Sequence, residues 1–205
     1  MNAFIIDCSF YILYPTFMAR PQEFDRDQVL DAAIAVFRQH GFEGSSATEL
    51  VTAMGIGRQS LYNSFGDKWQ LYRDAIHRYA TGEIEAHLAA LGSSTRAIDG
   101  IQRFLSRIIE TARDMCLGVS SICEFGTSHA DLSEIHERFG TILNAALCER
   151  IRRAQAEGDI SQDLNPGDAA AFLTSTVAGI RISARAGADP KALATVARMA
   201  LKAIR

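Results

Sequence analysis

Residues 54–72, MGIGRQSLYNSFGDKWQLY, place the tightest limits on what this chain can fold into. The stretch mixes polar side chains with large apolar and aromatic ones at close intervals, which suits neither a buried core helix nor a solvated loop. Gly55 and Gly57, separated by one residue, indicate a tight turn before a short helix. The sequence therefore predicts a helix with one solvent-exposed polar face and one buried apolar face, and the buried face contains Leu61 and Phe65.

Helix signals on both sides of this turn give it a structural context. Asp25 can cap a helix whose apolar residues follow i, i+3, i+4 spacing and which ends at Gly41. Ser46 and Glu49 have capping-box spacing at the start of a second helix. Three short helices therefore occupy residues 25–65. The last two have the helix-turn-helix layout, in which the second helix enters the major groove of DNA.

Helical patterns continue through the rest of the chain. Asp67 and Gln70 match the start of a long helix that runs towards Leu91, residues 116–126 form a short apolar segment, and no stretch shows the alternation of a β-strand. The prediction is an all-α protein of about nine helices, with a small N-terminal unit and a larger C-terminal unit. Further long helices are predicted at residues 96–115, 131–157, 167–186 and 190–204, with Pro166 near the start of the third of these.

Composition narrows the classes of function. The net charge of −3 gives no global positive field, so any DNA binding must come from a local patch. The sequence has no phosphate-binding glycine loop, no zinc-protease or nucleophile-elbow pattern and no His/Cys cluster with metal spacing. We therefore predict no enzyme activity, no catalytic residues, no cofactor and no metal site. The four cysteines form no CxxC pair, which is typical of a cytoplasmic protein with free thiols.

The first twenty residues are apolar and aromatic but match no targeting signal. They lack a basic leader, and Pro15 interrupts the uncharged run, so neither a signal peptide nor a membrane span fits well. Two interpretations remain: a tail that packs on the body of the protein, or a start assigned too early, with Met18 as the natural start. We favour the second. Arg20 and Pro21 are either a solvated tail, which we favour, or an arm near the minor groove.

The sequence from Gly41 to Ile76 resembles the DNA-binding domain of the TetR/AcrR family of bacterial transcriptional regulators. The similarity rests on Gly41-Phe42, on Ser45-Ser46, on the run GIGRQSLYNSF from Gly55 to Phe65, and on Lys68. The resemblance implies a ligand-responsive regulator, and we favour a repressor, that binds a palindromic operator on double-stranded DNA as a homodimer. The DNA-binding residues that it implies are Ser45, Arg58, Gln59, Ser60, Tyr62, Asn63 and Lys68.

Three positions depart from the family pattern. Gly57 stands where a capping Ser or Thr is usual, Asn63 replaces a His, and Ser64 replaces an aromatic residue. Asn63 can still hydrogen-bond a phosphate, whereas Ser64 offers less stacking area. These departures keep an alternative open, in which the protein senses a small molecule or a thiol-reactive compound and has weakened or lost DNA binding.

For the C-terminal half, the resemblance implies binding of a small effector, whose identity stays open, and no membrane partner. The predicted domains are an extension at residues 1–20, a DNA-binding domain at 21–68, and a ligand-binding and dimerisation domain at 69–205. Two cysteines seven residues apart would share one helix face, although small core residues are the plainer interpretation. The candidate ligand-binding residues are His87, Phe104, Ile108, Cys116, Cys123, Phe125 and His129.

Stripes of small and apolar residues in the last two helices would let two protomers approach closely. The alternative is that both stripes pack only within one protomer. A dimer matters because two recognition helices must reach successive major grooves, about 34 Å apart. The candidate dimer-interface residues are Phe172, Thr176, Gly179, Ile180, Ser183, Leu193, Val196, Ala197, Ala200 and Leu201.

Overall fold

The computed structural model describes residues 24–205, so the extension at residues 1–20 and the alternatives for Met18, Arg20 and Pro21 lie outside the described residues. Within residues 24–205 the chain forms nine helices and no strand, which confirms the all-α prediction. The helices are α1 (Arg26–His40), α2 (Ala47–Met54), α3 (Arg58–Phe65), α4 (Lys68–Gly92), α5 (Ala97–Glu110), α6 (Leu117–Phe125), α7 (Ala130–Ala156), α8 (Pro166–Arg185) and α9 (Pro190–Ala203).

Capping side chains fix where the first helices begin. Asp25 and Asp67 each accept a hydrogen bond from a backbone amide in the first turn of the following helix. Ser46 forms a full capping box with Glu49 at the start of α2. Each cap of this kind contributes about 1 kcal/mol. These three helix starts were predicted from the sequence and are confirmed.

Two segments differ from the predicted helix limits. Helix α5 ends at Glu110, because turn bonds replace the helical ones after Thr111: the amide of Ala112 bonds to the carbonyl of Ile109, and the amide of Asp114 bonds to that of Thr111. Helix α6 occupies the segment that the sequence showed only as apolar. Helix α8 begins at Pro166, within one residue of the predicted start, because proline suits the first position of a helix, where its missing amide is not needed.

The helices pack around two buried clusters of apolar side chains. Helices α1, α2 and α3 enclose the first cluster, in which Phe37 and Leu61 are at most 2% exposed. The first half of α4 contributes up to Ile76, and α6 and α7 add Leu117 and Leu132. The second cluster lies among α5, α7, α8, α9 and the second half of α4. Helix α4 therefore belongs to both units, and the position of the domain boundary stays a prediction.

An aromatic cluster joins the two units. Trp69, near the start of α4, packs edge-on against Phe42 and Phe125, with ring centroids 5.3 Å apart in each pair. The ring of His129 lies 4.1 Å from that of Trp69. Trp69 also donates a hydrogen bond through Nε1 to Asp131 at 3.0 Å. Because Phe125, His129 and Asp131 come from the α6–α7 corner, this corner holds the two units together.

A carboxylate on α6 makes a second connection between the units. Glu124 accepts hydrogen bonds from the backbone amides of Phe42, at 3.1 Å, and Glu43, at 3.0 Å. Both amides follow the C-terminal end of α1. Arg38 of that helix donates to the carbonyl of Met115, just before α6. Helix α6 and the loop before it therefore set the position of the three-helix unit.

A buried ionic network links α4, α5 and α8. Glu83 accepts hydrogen bonds from Arg107 at 2.9 Å and from Arg181 at 2.8 Å, and the Arg181 side chain is 4% exposed. Burial opposes ionisation of Glu83, but the hydrogen bond from Arg107 and the charge of Arg181 outweigh it and lower the pKa of this carboxyl. Arg107 also lies 3.0 Å from Nδ1 of His87, and burial lowers the pKa of His87 to about 4. Neutral His87 can therefore accept a hydrogen bond from Arg107.

Stability should fall as the pH drops from 6.5 to about 4, because of His87. The unfolded chain takes up a proton on this ring near its ordinary pKa of 6.5, whereas the folded protein resists protonation until about pH 4. The contribution of His87 to stability is thus full above pH 6.5, and up to about 3 kcal/mol is lost on descending to pH 4. Urea denaturation across this range measures the loss. His87→Gln should flatten the curve and exposed His40→Gln should not; parallel curves for all three proteins would contradict the prediction.

Candidate nucleic-acid interface

The turn between α2 and α3 fixes the direction of α3. Gly55 has a φ of 65°, a left-handed conformation that glycine adopts without strain, and its amide bonds to carbonyls of α2. Leu61 and Phe65 anchor one face of α3 in the first cluster, with exposures of 2% and 3%. Ile56 is partly buried against the same cluster. The predicted buried face of this helix is confirmed.

The opposite face of α3 is polar and open to solvent. Arg58, Gln59 and Asn63 are exposed, Tyr62 is 42% exposed, and Ser60 is half-buried at the edge of the face. The Nε2 group of Gln59 donates to Oδ1 of Asn63 at 2.9 Å, one turn along the helix. This bond orients both amides and leaves the Gln59 carbonyl and one N–H available for a base edge.

Arg26, which the sequence reasoning missed, holds the C-terminal end of α3. It donates to the backbone carbonyl of Ser64 at 3.1 Å and pairs with Asp74 of α4 at 2.5 Å. Its guanidinium lies 4.3 Å from the centroid of the Phe65 ring. The backbone carbonyl of Ser64 therefore helps to fix the C-terminal end of α3. No local pattern identifies Arg26, because its partners lie 38 and 48 residues away in sequence.

The two candidate phosphate contacts outside α3 differ in accessibility. Lys68, the first residue of α4, is half-buried, and its Nζ lies 4.3 Å from the centroid of the Phe42 ring. A cation–π contact of this kind is weak enough to be exchanged for a phosphate. Ser45 is 2% exposed, and its hydroxyl donates to the carbonyl of Gly41 at 2.6 Å. The Ser45 hydroxyl therefore closes the α1–α2 connection, and its contact with DNA stays a prediction.

Replacing Gly57 with serine should stabilise the protein by about 0.5–1 kcal/mol. Gly57 caps α3 without a side-chain hydrogen bond, its φ of −71° suits any residue, and an added Cβ would meet only the Ser60 hydroxyl, at 3.9 Å. A serine there can accept a free amide of the first turn, and it also restricts the unfolded chain. Urea denaturation measures the gain.

The matched control for Gly57→Ser is Gly55→Ser, at the other glycine of the turn. The φ of 65° at Gly55 makes a side chain there strained, so this substitution should destabilise the protein by about 1–2 kcal/mol. A stabilising Gly55→Ser together with a neutral or destabilising Gly57→Ser would contradict this assignment of the two glycines.

The seven candidate ligand-binding residues lie in different surroundings. Phe104 and Ile108 are fully buried in the second cluster, and His87 belongs to the ionic network. Phe125 and His129 lie in the aromatic cluster between the units. These five residues lie apart because α5 turns its apolar face into the core, whereas the α6–α7 corner turns towards the N-terminal unit. The ligand-binding assignment stays a prediction.

Cys116 and Cys123, the two remaining candidates, line one cleft. Its volume is about 630 Å³, and it lies between the C-terminal end of α1 and the helices α6 and α8. Cys116 caps α6 and is half-buried, Cys123 is exposed, and both are free thiols, as is Cys148. Cys8 lies outside the described residues. Between residues 24 and 205, no group of three or more His, Cys, Asp or Glu side chains is placed to hold a metal ion.

The ten candidate dimer-interface residues divide into two groups. Ile180, Leu193, Ala197 and Ala200 are at most 4% exposed and pack inside the protomer, and Leu201 is half-buried against the same cluster. The predicted stripes divide in this way because both helices are apolar on two sides, and the sequence does not show which side packs inward. The dimer interface stays a prediction. The wholly or partly accessible candidates are Phe172, Thr176, Gly179, Ser183 and Val196. Two residues that were not predicted, Ile182 and Met199, are exposed on the same two helices.

A three-helix unit that presents a polar helix, joined to a larger helical unit, defines a helix-turn-helix DNA-binding protein. The family model for bacterial regulatory proteins of the tetR family matches residues 29–75, and that for the tetracyclin repressor-like C-terminal domain matches residues 97–200. The HTH-type transcriptional repressor ComR of Escherichia coli (strain K12) is 31% identical over 193 residues, which cover 89% of this chain and 90% of ComR. The chain belongs to the TetR family of transcriptional regulators, as its sequence predicts.

Two further comparisons agree with this assignment. The uncharacterized HTH-type transcriptional regulator YezE of Bacillus subtilis (strain 168) is 29% identical, over 84% of this chain and 92% of YezE. A solved structure of a cysteine mutant of the TetR family transcriptional regulator CifR, complexed with 26-bp double-strand operator DNA, has a TM-score of 0.78 and 27% identity, and the match covers 91% of this chain and 100% of that chain. The protein is therefore a DNA-binding transcriptional regulator. In the part of it that the structure describes, no helix combines the length and apolar character needed to cross a bilayer.

Proposed function

We propose that this protein represses transcription in the cytoplasm by binding a palindromic operator as a homodimer, and that a small effector releases or re-tunes it. The observation that carries the proposal is the exposed polar face of α3, which Leu61 and Phe65 hold in place from the opposite side. The structure of CifR on operator DNA, and the description of ComR as a repressor, support the same activity here. This role needs no catalytic residue, cofactor or metal.

The first turn of α3 is proposed to read the bases. Arg58 can bind guanine through two hydrogen bonds, and Gln59 can bind adenine in the same way. The hydrogen bond from Gln59 to Asn63 supports this role, because it lowers the conformational entropy that Gln59 loses on binding. Ser60, at the edge of the same face, is close enough to the helix start to contact a base or the adjacent backbone.

The phosphate contacts are proposed to come from Tyr62, Asn63 and Lys68. Tyr62 is the large aromatic residue of this face that stays accessible, and its hydroxyl can donate to a phosphate oxygen. Lys68 stands in the first turn of α4, where free backbone amides and the helix dipole also favour an anion. These contacts would position α3 without reading sequence.

The dimer is proposed to form through the accessible residues of the last two helices. We call this surface the α8–α9 face. It presents apolar side chains to solvent, among them Phe172 at 43% and Met199 at 56% exposure, with small residues between them that allow close approach. The face consists of Phe172, Thr176, Gly179, Ser183, Val196 and Met199.

Loss of a phosphate contact should weaken binding to every DNA sequence alike. Lys68→Ala and Tyr62→Phe should each lower affinity by up to about tenfold, and Lys68→Ala should reduce the slope of log affinity against log salt concentration by about 1. Fluorescence anisotropy measures this with the duplex upstream of the protein's own gene and with a scrambled duplex. Arg152→Ala, a loss of exposed charge on α7, is the control and should change neither affinity.

Arg58→Ala should act differently, by reducing the preference for the upstream duplex over the scrambled one. The expected reduction is about 1–3 kcal/mol, because one bidentate base contact is lost. Equal weakening on both duplexes would contradict the base-reading role of Arg58. Failure of the unmodified protein to bind any duplex at low salt would contradict the proposed function itself.

A further inference from the structure

The cleft that contains Cys116 and Cys123 has walls from both units. One wall is the C-terminal end of α1 with residues 41–44, and the other is formed by residues 112–116, α6 and the C-terminal end of α8. Its volume of about 630 Å³ is within the range of small-molecule sites. Apolar groups line much of it, including Val119 of α6 and Ile182 of α8.

Arginine side chains converge on this cleft without carboxylate partners. Arg38 lines the α1 wall, and Arg113 and Arg185 line the other wall. Between residues 24 and 205, no carboxylate oxygen lies within 4.0 Å of a guanidinium nitrogen of these three arginines. Arg38 donates to the carbonyl of Met115, and Arg185 donates to the hydroxyl of Ser120 at 2.8 Å. Within residues 24–205, no side chain or backbone group other than these two accepts a hydrogen bond from the three arginines.

The acidic side chains of the cleft do not cancel this charge. The carboxylate of Glu124 is already bonded to two backbone amides, and Arg181 is matched by Glu83 outside the cleft. The other acidic residues of the lining are Glu43 and Asp114, and both are exposed to water. Arg113 and Arg185 are exposed as well, and Arg38 is half-buried, so among residues 24–205 the cleft has three guanidinium groups without a carboxylate partner and two exposed carboxylates.

We propose that this cleft binds an organic anion with an apolar body. The arginines hold the anionic group through charge-assisted hydrogen bonds, and the apolar body lies against Val119 and Ile182. The proposal gives a site and a chemical class to the effector, and in this respect it rests on the proposed function. It places the effector between the units and not inside the second cluster, where Phe104 and Ile108 are fully buried.

Occupation of the cleft changes DNA binding through the contacts that cross it. The bond from Arg38 to Met115 and the bonds from Phe42 and Glu43 to Glu124 position the three-helix unit. A ligand anion that draws Arg38 away from Met115 loosens one of these connections, so the orientation of α3 relative to the other protomer is no longer fixed. Ile182 lies beside the α8–α9 face, so the same ligand touches the proposed dimer surface as well.

A matched pair of fluorescent probes tests the site on the full-length protein without DNA. The anion is 1-anilinonaphthalene-8-sulfonate, and N-phenyl-1-naphthylamine has the same apolar body without the sulfonate. The double substitution Arg113→Gln/Arg185→Gln should raise the dissociation constant of the anion by about tenfold and leave that of the neutral probe unchanged. Arg152→Gln, on exposed α7, is the control for loss of charge and should change neither.

Two results would overturn the site. One is an unchanged affinity of the anion in the double variant, and the other is equal weakening of both probes, which would indicate an adventitious apolar surface only.

The coupling between the cleft and DNA binding is tested separately. The anion should lower affinity for the upstream duplex at least about threefold in the unmodified protein and not in the double variant. Failure to bind DNA would refute the proposed function while the probe titration still decides the site. Intact DNA binding that the bound anion leaves unchanged would refute the coupling.

Discussion

Phe172→Glu should convert the protein into a monomer and weaken operator binding. Phe172 is 43% exposed on the α8–α9 face, and two-fold symmetry would bring both copies of the substitution into one interface. Two unpaired carboxylates buried there should raise the dimer dissociation constant by more than about 100-fold. Analytical ultracentrifugation measures the oligomeric state. Operator affinity should fall by more than about tenfold, because the second half-site is no longer bound at the effective concentration that the dimer provides.

Ile142→Glu is the matched control for Phe172→Glu. Ile142 is 37% exposed on α7, so the substitution introduces the same charge at a similar accessibility outside the α8–α9 face. It should leave the dimer and its operator affinity unchanged. Circular dichroism checks that both variants stay helical. A folded Phe172→Glu variant that remains a dimer would show that the protomers associate through another surface.

Glu83→Ala should lower the free energy of unfolding by about 3 kcal/mol, since removal of one partner from a buried ion pair leaves the other charge uncompensated. Here the stranded charge is Arg181, whose side chain is 4% exposed, and Arg107 loses its carboxylate as well. Urea denaturation at pH 7 measures the loss. Adding Arg181→Met should recover part of it, because the buried charge is then gone.

Asp31→Ala provides the comparison for Glu83→Ala. Asp31 accepts two hydrogen bonds from Arg78, at 2.7 and 2.8 Å, so the geometry of this pair is as good as that of the buried network. The Asp31 side chain is 60% exposed, however, and Arg78 keeps Asp27 as a second carboxylate partner at 3.0 Å. The expected cost is below about 1 kcal/mol. Similar losses for Asp31→Ala and Glu83→Ala would show that burial does not decide the strength of these pairs.

The helix-turn-helix unit could be predicted closely because its signals are local. Gly55 requires a left-handed turn, the capping box of Ser46 and Glu49 lies within one helical turn, and Leu61 and Phe65 repeat on one face of α3. Each of these rests on residues that are close in sequence. The accessible side chains of the first turn of α3 follow from the same pattern.

The interfaces between elements could not be predicted, because their partners are distant in sequence. Arg26 meets Ser64, and Glu124 meets the amides of Phe42 and Glu43, over separations of 38 and about 80 residues. Spacing within a helix carries no information about such pairs. The burial of Ser45 could not be predicted for the same reason, since it depends on how α1 meets α2.

The sequence alone determined the family, the all-α class, the helix starts and the polar face of α3, because capping, periodicity and turn glycines act within a few residues. Only the tertiary structure decided which side of α8 and α9 stays accessible. It also placed Phe104 and Ile108 in the second cluster, and Phe125 and His129 in the aromatic cluster between the units. Both faces of an apolar helix look alike in sequence. The cleft lined by Arg38, Arg113 and Arg185 likewise exists only once α1, α6 and α8 are packed together.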